Sequence, residues 1–504
     1  MTEAAAIMEQ ASPIPHVLIF PLPVQGHVSS MLKLAELLSL AGGEGGIRVT
    51  FLNSDYNHKR LIQFSDAESR FRKYPGFQFK TIDDGLPMDQ LTKGEKVLDL
   101  MREMGLKTRP IFKDLLAQMD PPVTCVIGDG VLGFIRDVSV EVGIPIIRFR
   151  TVGVSCFWIN FWLPEIIEAG ELPVQGNGDM DRMITKVPGM ESFLRCRDLP
   201  GYCRVSADDQ VLARIVRTTR ESSSSPPSPL ILNTFDDFDG PILAQVRHLF
   251  PKTYAIGPLH EHLKSRLQGT TTTSSSSNSL WKEEASCLTW LDTQPPGSVL
   301  YVNFGSITVM RREQLVEFWE GLTSSKNRFL WVIRPGLVSH EEELDGDEIP
   351  EELVEGIEKE NLKVLVGWAP QEAVLSHDAV GGFLTHSGWN STLESIVAGV
   401  PMICWPFFAD QQVNSRIVSE VLKLGLDMKD VCDRRVVERM VNELMVEKKE
   451  EFGRKAVEMA RMAKESVKEG GSSYENLELL IEDIKLMSSQ ARELKGCKSS
   501  NNIS

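Results

Sequence analysis

Short apolar runs alternate with amphipathic stretches along most of this chain. Residues 16–20 (HVLIF) are apolar after His16, the pattern of a strand covered on both faces. Over 28–38, Val28, Met31, Leu34, Ala35 and Leu38 recur at helical spacing and predict a helix. A Gly-rich turn then leads to a strand at 49–52, and further strands are predicted at 123–127, 144–149 and 230–233. A second series follows at 299–304, 329–333, 364–366, 380–384 and 400–404. Strands alternating with helices imply parallel sheets with helices on both faces. The stretch GTTTTSSSSNS at 269–279, between the two series, is too polar to build a core and reads as a linker. ESSSSPPSP at 221–229 reads as a surface loop. The expected architecture is α/β, two facing doubly wound Rossmann-like domains with a cleft between them. The first spans 1–255 and the second 256–473. Tyr474, Leu477, Leu480, Ile481, Ile484 and Met487 mark an amphipathic helix over about 474–490, expected to pack back on the first domain. In such sheets ligands bind beyond the carboxyl ends of the strands, so the cleft is the expected site.

Charge narrows the choice of ligand. A formal net charge of −16 without a long basic run excludes nucleic-acid binding through phosphates. An anionic nucleotide held locally at a helix N-terminus is still compatible. The N-terminus lacks the basic start and apolar run of a secretory leader, and the most apolar stretch, 152–167, is interrupted by Asn160, Pro164 and Glu165. The eight cysteines form no CxxC pair, as expected of a reduced cytoplasmic protein. Asp179 and Asp181, like Asp345 and Asp347, could suggest a metal site, but both pairs lie in polar loop sequence and read as solvated loops.

The most informative stretch is 368–411, WAPQEAVLSHDAVGGFLTHSGWNSTLESIVAGVPMICWPFFADQ. It holds a strand, the turn THSGWNS and a helix over 390–398, an arrangement whose free N–H groups and partial positive charge suit a phosphate. Asn390 and Ser391 add side-chain donors, and His386 precedes the turn. Read alone, Ser391-x-x-Glu394 is a capping box. Alternatively, Glu394 lies one helical turn from the phosphate site and can accept hydrogen bonds from ribose hydroxyls.

A neutral imidazole is the side chain best suited to act as a general base near neutral pH. His27 follows the turn PLPVQG after the first strand and opens the first helix. Asp129, ending the strand in CVIGDG, is the candidate carboxylate partner; its plain alternative is a turn-forming Asp before Gly130.

The 44 residues from 368 to 411, with WAPQ, HSGWNS, Glu394 and the terminal ADQ in place, resemble the secondary-product signature of the plant family-1 UDP-glycosyltransferases. PxPxQGH resembles the same family's N-terminal motif. The resemblance implies the GT-B type of two-domain fold and roles for the matching residues. Trp368 would stack on uracil, with Ala369 and Gln371 at the base and ribose, and Glu394 on the ribose hydroxyls. His386, Gly388, Asn390, Ser391 and Ser306 of NFGS would hold the diphosphate. Trp389, Asp410, Gln411 and Thr151 would contact the sugar. A terminal Gln at 411 points to glucose, where the family's galactose users carry His. His27 would be the base and Asp129 its partner.

The expected reaction is inverting transfer of glucose from UDP-glucose to a hydroxyl, or a carboxyl, of a small lipophilic acceptor, giving a β-glucoside. No cofactor or metal is expected, UDP-glucose being a co-substrate, and the protein is expected to be a cytoplasmic monomer. The N-terminal half looks most like enzymes that glucosylate iridoids, other small terpenoids and cyanohydrins. Arg150, Phe157 and Trp158 are the acceptor-pocket candidates, within an aromatic stretch that also includes Cys156, Phe161 and Trp162. Two features depart from the family pattern. Ser29 and Ser30 stand where relatives carry Pro, and Arg148 and Arg150 replace apolar residues before Thr151. One of these arginines could bind an acidic acceptor, or both could simply form ion pairs with a nearby carboxylate. Another UDP-sugar, or a nucleotide-sugar-binding protein without chemistry, are the alternatives. A nicotinamide-type oxidoreductase lacks its GxGxxG, and a serine hydrolase its GxSxG.

Overall fold

The computed structural model describes residues 14–41, 46–83, 85–91, 94, 96–172, 179–203, 210–221, 227–268, 277–338 and 363–500. Residues 222–226, 269–276 and 345–347 lie outside it, and with them most of the two low-complexity stretches and the Asp345/Asp347 pair. Two parallel sheets organise the chain. The first contains β1 (His16–Phe20), β2 (Arg48–Ser54), β3 (Phe77–Ile82), β4 (Cys125–Asp129), β5 (Ile146–Arg150), β6 (Leu230–Leu232) and β7 (Thr253–Ala255), in the order β3-β2-β1-β4-β5-β6-β7. The second contains β8 (Val299–Asn303), β9 (Arg328–Val332), β10 (Lys363–Val366), β11 (Val380–Thr385), β12 (Met402–Cys404) and β13 (Gly425–Asp427), in the order β10-β9-β8-β11-β12-β13. Every paired strand is parallel.

The strand order reverses between β1 and β4 in one sheet and between β8 and β11 in the other. At such a switch point the flanking loops diverge to opposite faces and leave a crevice beyond the carboxyl ends. The segments leaving those strands are 21–27, 130–133, 304–306 and 386–391, so both crevices are built by the stretches singled out above.

Three strands escaped the sequence pattern. β7 and β13 have three residues each, too few to carry a period. β3 is an edge strand whose alternating residues are only partly covered. The core of the first sheet also takes side chains from beyond residue 255. Leu259 and Leu263 of the helix Leu259–Leu267, and Leu280, share a core with Val17, Ile19 and Phe51. In the helix Ser472–Ser500, Leu477, Leu480, Ile481 and Ile484 join the same core. Lys252 pairs with Asp483 at 2.9 Å, and Ser473 donates to the Gly257 carbonyl at 2.5 Å. Four buried aliphatic side chains contribute on the order of 6–12 kcal/mol before entropy is counted, enough to hold this helix against the first lobe.

Candidate active site

The first half of the site is set by a short turn. β1 ends at Phe20, and the helix Gln25–Leu40 begins after four intervening residues, with Val24 at its N-cap and no side-chain cap. His27 therefore sits in the helix's first turn. Its Nδ1 lies 2.6 Å from Asp129 Oδ2, and Thr151 Oγ1 is 2.9 Å from the same nitrogen. The Asp129 side chain is 0% exposed, that of His27 18%. The Leu22 N–H donates to Asp129 Oδ2 at 2.9 Å and the Val131 N–H to Oδ1 at 3.2 Å. A carboxylate held this way orients an imidazole and stabilises the charge it gains. With Nδ1 committed to Asp129, Nε2 is the nitrogen left to serve as base.

Arg148 and Arg150 are held by the backbone of the turn that follows β4. They both donate to one backbone oxygen, the Gly130 carbonyl, at 2.6 and 2.8 Å. The Arg150 guanidinium also stacks on Phe157, 4.7 Å from its ring centre, and burial draws its pKa down to about 10 while Asp129 opposes that shift. Trp158 corrects the acceptor-pocket expectation, because it does not line the cavity. It is 1% exposed, lies parallel to Phe161 and donates from Nε1 to the Pro188 carbonyl at 3.0 Å. Phe161 and Trp162 pack around it, whereas Cys156 and Phe157 reach the cavity.

The second half centres on the helix Trp389–Ala398, capped by the backbone of Gly388 with no side-chain bond. Ser391 and Glu394 do not form a capping box. Instead Gln371 Nε2 donates to Glu394 at 2.6 Å and to Ser391 Oγ at 2.9 Å, while Gln371 Oε1 accepts from Asn303 at 2.8 Å. The His386 ring is wedged between two glycines. A Cβ on Gly305 would come within 2.4 Å of its Nε2, and one on Gly388 within 2.5 Å. Burial first, with the Arg334 charge adding, draws the His386 pKa to about 4, so the ring is neutral and offers hydrogen bonds rather than charge.

Several expected donor residues also tie the lobes together. Asn390 spans the cleft: its Nδ2 donates to the Gly26 carbonyl at 2.8 Å and its Oδ1 lies 2.8 Å from Ser30 Oγ. Ser30 stands at the position that departs from the family pattern, and its hydroxyl completes this bridge between the lobes, while Asn390 also lines the cavity. Trp389 Nε1 donates to the Asn233 carbonyl at 2.8 Å. Asp410 Oδ2 accepts from Asn414 at 2.8 Å and from the Gly153 N–H at 3.3 Å. Gln411 Oε1 accepts from the Phe407 and Phe408 N–H groups, both at 2.8 Å.

Sequence reasoning missed two further features. Lys33 pairs with Glu372 across the cleft at 2.5 Å, and Glu372 and Glu394 outweigh the burial that would lower its pKa. Trp281 stacks behind Trp368, with centroids 5.5 Å apart, and Arg60 covers Trp281 at 4.7 Å. Lys33 lies in the helix predicted over 28–38 but off its apolar face, and Trp281 follows a low-complexity run. Neither had a local signal.

One cavity of about 1120 Å³ joins the two halves. It is lined by His27, Thr151, Ser306, Trp368, Ala369, Gln371, His386, Gly388, Trp389, Asn390, Ser391, Glu394, Asp410 and Gln411 together. This volume exceeds what one drug-sized ligand needs and suits two reactants. Among the described residues no cluster of three His, Cys, Asp or Glu could hold a metal, and Asp179 and Asp181 are paired with Arg182, Arg195 and Arg197. No described helix is long and apolar enough to cross a membrane.

Residues 272–452 match the family described as UDP-glucoronosyl and UDP-glucosyl transferase. The 7-deoxyloganetic acid glucosyltransferase of Catharanthus roseus is 54% identical over 481 residues, covering 94% of this chain and 97% of that one. The chain belongs to the UDP-glycosyltransferase family. It is a plant-type family-1 enzyme, a glucosyltransferase with two α/β domains. The 7-deoxyloganetin glucosyltransferase of Gardenia jasminoides is 41% identical, covering 93% of this chain and 97% of its own. Among solved UDP-glycosyltransferases, Os79 of O. sativa in complex with UDP is 26% identical, with a TM-score of 0.76 over 93% of this chain and 100% of that one. The Phytolacca americana enzyme complexed with UDP-2fluoro-glucose and pterostilbene is 27% identical, with a TM-score of 0.71 over 93% of this chain and 99% of its own.

Proposed function

We propose that this glucosyltransferase transfers glucose from UDP-glucose to a hydroxyl of an iridoid-type terpenoid, with inversion and with His27 as base. One observation carries the reading: His27, backed by the buried Asp129, and the 386–394 turn line a single cavity with room for donor and acceptor. As the acceptor oxygen attacks the anomeric carbon, its proton passes to His27 Nε2, and the imidazolium is stabilised by Asp129. The bond from the anomeric carbon to the diphosphate oxygen breaks on the opposite face, and UDP leaves. The N–H groups opening the helix Trp389–Ala398 and the neutral His386 oppose the developing charge on the diphosphate without a metal. Trp368, with Ala369 and Gln371, takes the uracil and ribose, Ser306 and Ser391 the phosphates, and Trp389, Asp410, Gln411 and Thr151 the sugar. The iridoid acceptor is suggested by the relatives from Catharanthus roseus and Gardenia jasminoides.

Incubating the protein with UDP-glucose and 7-deoxyloganetic acid, with and without a chelator, tests the reading. A β-glucoside, identified by its anomeric proton coupling and formed equally in both samples, is the expected result. An α-linked product or loss of turnover on chelation would overturn the mechanism.

Donor binding should also depend on pH. Burial, and then Glu372, push the Glu394 pKa up to about 7, while Lys33 and Gln371 pull it down. The ribose-binding form is the carboxylate, whose population rises as pH passes upward through about 7. KM for UDP-glucose should therefore fall between pH 6 and 8. Lys33→Met removes the counter-charge and should move this transition to higher pH, as initial rates across a pH series would reveal.

A further inference from the structure

We infer that the acceptor is bound as a free carboxylate, anchored by Arg214 with Arg150 as a second cation. This rests on the cavity assignment above and specifies the acceptor's chemistry. The wall away from the donor turn is contributed by the helices Lys96–Gln118, Val154–Glu168 and Gln210–Glu221. It is largely apolar, with Val97, Leu98, Met101, Val131, Phe157 and Ile215 on it. Into this surface come two guanidinium groups. Arg214, half-buried, donates to the Leu98 carbonyl at 3.2 Å, which pins it between two of the helices. Arg150 is fixed by Gly130 and Phe157; its chain neighbour Thr151 lies against His27, and Gly130 directly follows Asp129.

The charge on this wall is one-sided. The described carboxylates lining the cavity are Glu261, Glu283, Glu372, Glu394 and Asp410. Glu372 and Glu394 belong with Lys33, Glu283 with Ser277, and Asp410 with Asn414 and Gly153. None of these acidic groups is among the influences on Arg214. Its pKa is held below the usual guanidinium value by partial burial first, then by Arg102 and Arg217, against a smaller opposing pull from Asp99. Arg150 has Asp129 beside it, so Arg214 is the cation with more attraction to spare. A neutral terpenoid would gain only apolar contact here and would have to cover cations, which is costly. A terpenoid carrying a carboxylate gains the same contact plus a charge-assisted hydrogen bond.

The test compares kcat/KM for 7-deoxyloganetic acid and for its methyl ester, with a phenolic acid and its methyl ester in parallel. The wild type should favour the acid of each accepted pair by about 10- to 100-fold, the span of a charge-assisted hydrogen bond. Arg214→Leu should remove most of that preference by lowering turnover of the acid, leaving the ester and KM for UDP-glucose within about twofold; these two readouts certify the fold. Arg214→Lys should recover part of it. Glucosylation of acid and ester alike by the wild type, or an equal loss of both in Arg214→Leu, would overturn the inference while leaving the glucosyl-transfer reading intact. Failure to glucosylate any acceptor would overturn both.

Discussion

His27→Ala is expected to lower kcat by about 10³-fold or more, with UDP affinity unchanged within about twofold. A positioned general base contributes about 10²- to 10⁴-fold, and His27 is the only ring facing Asp129 in the described site. Its side chain makes no contact with the 386–394 turn in the hydrogen bonds of the site, so removing the ring leaves the nucleotide's partners in place. Single-turnover rates and UDP titration measured separately would check both halves. Asp129→Asn should fall between wild type and His27→Ala. The amide can still accept from Leu22 N–H or Val131 N–H, but it no longer stabilises the imidazolium. A full-speed Asp129→Asn enzyme would contradict the pairing drawn here.

Gly305→Ala should raise KM for UDP-glucose by at least about tenfold, through two effects that act together. Residue 305 has a φ of +73°, in the left-handed region where a Cβ costs about 1–2 kcal/mol. The new methyl would also lie 2.4 Å from His386 Nε2, which forces the ring out of the slot it shares with Gly388. Either effect alone approaches the 1.4 kcal/mol that corresponds to tenfold. Loss of donor affinity with a retained circular dichroism spectrum is the expected outcome. An unchanged KM would mean that His386 does not need this position.

Much of the donor site was legible because it is local. A strand, a turn and a helix within residues 380–398 bring His386, Gly388, Ser391 and Glu394 to one place with no help from the rest of the chain. The choice between capping and ligand binding for Ser391 and Glu394 was not local. It depended on Gln371, which lies 23 residues before Glu394 and takes up its carboxylate. The glycines around His386 likewise gave no warning of their crowding, since Gly305 and Gly388 meet only when β8 and β11 pair.

The wall proposed for the acceptor was least legible. Phe157 and Trp158 are neighbours in sequence, yet successive helical side chains diverge by about 100°, so one faces the cavity and the other the core. Arg150 was visible as an unusual residue, but that it would share the Gly130 carbonyl with Arg148 was not. Arg214, Trp281 and Lys33 carried no pattern at all, because their partners are 87 to 339 residues away.

By itself, the order of residues determined the alternation of strands and helices, the strand–turn–helix that suits a diphosphate, and the His27 motif. These follow from spacing along a few turns of backbone. Only the tertiary structure decided that the two sheets open toward each other, that Asn390 and Ser30 bridge the gap, and which side chains of the helix Val154–Glu168 reach the cavity. Those outcomes depend on contacts between residues hundreds of positions apart, such as the 360 separating Ser30 from Asn390, and chain periodicity carries no information about them.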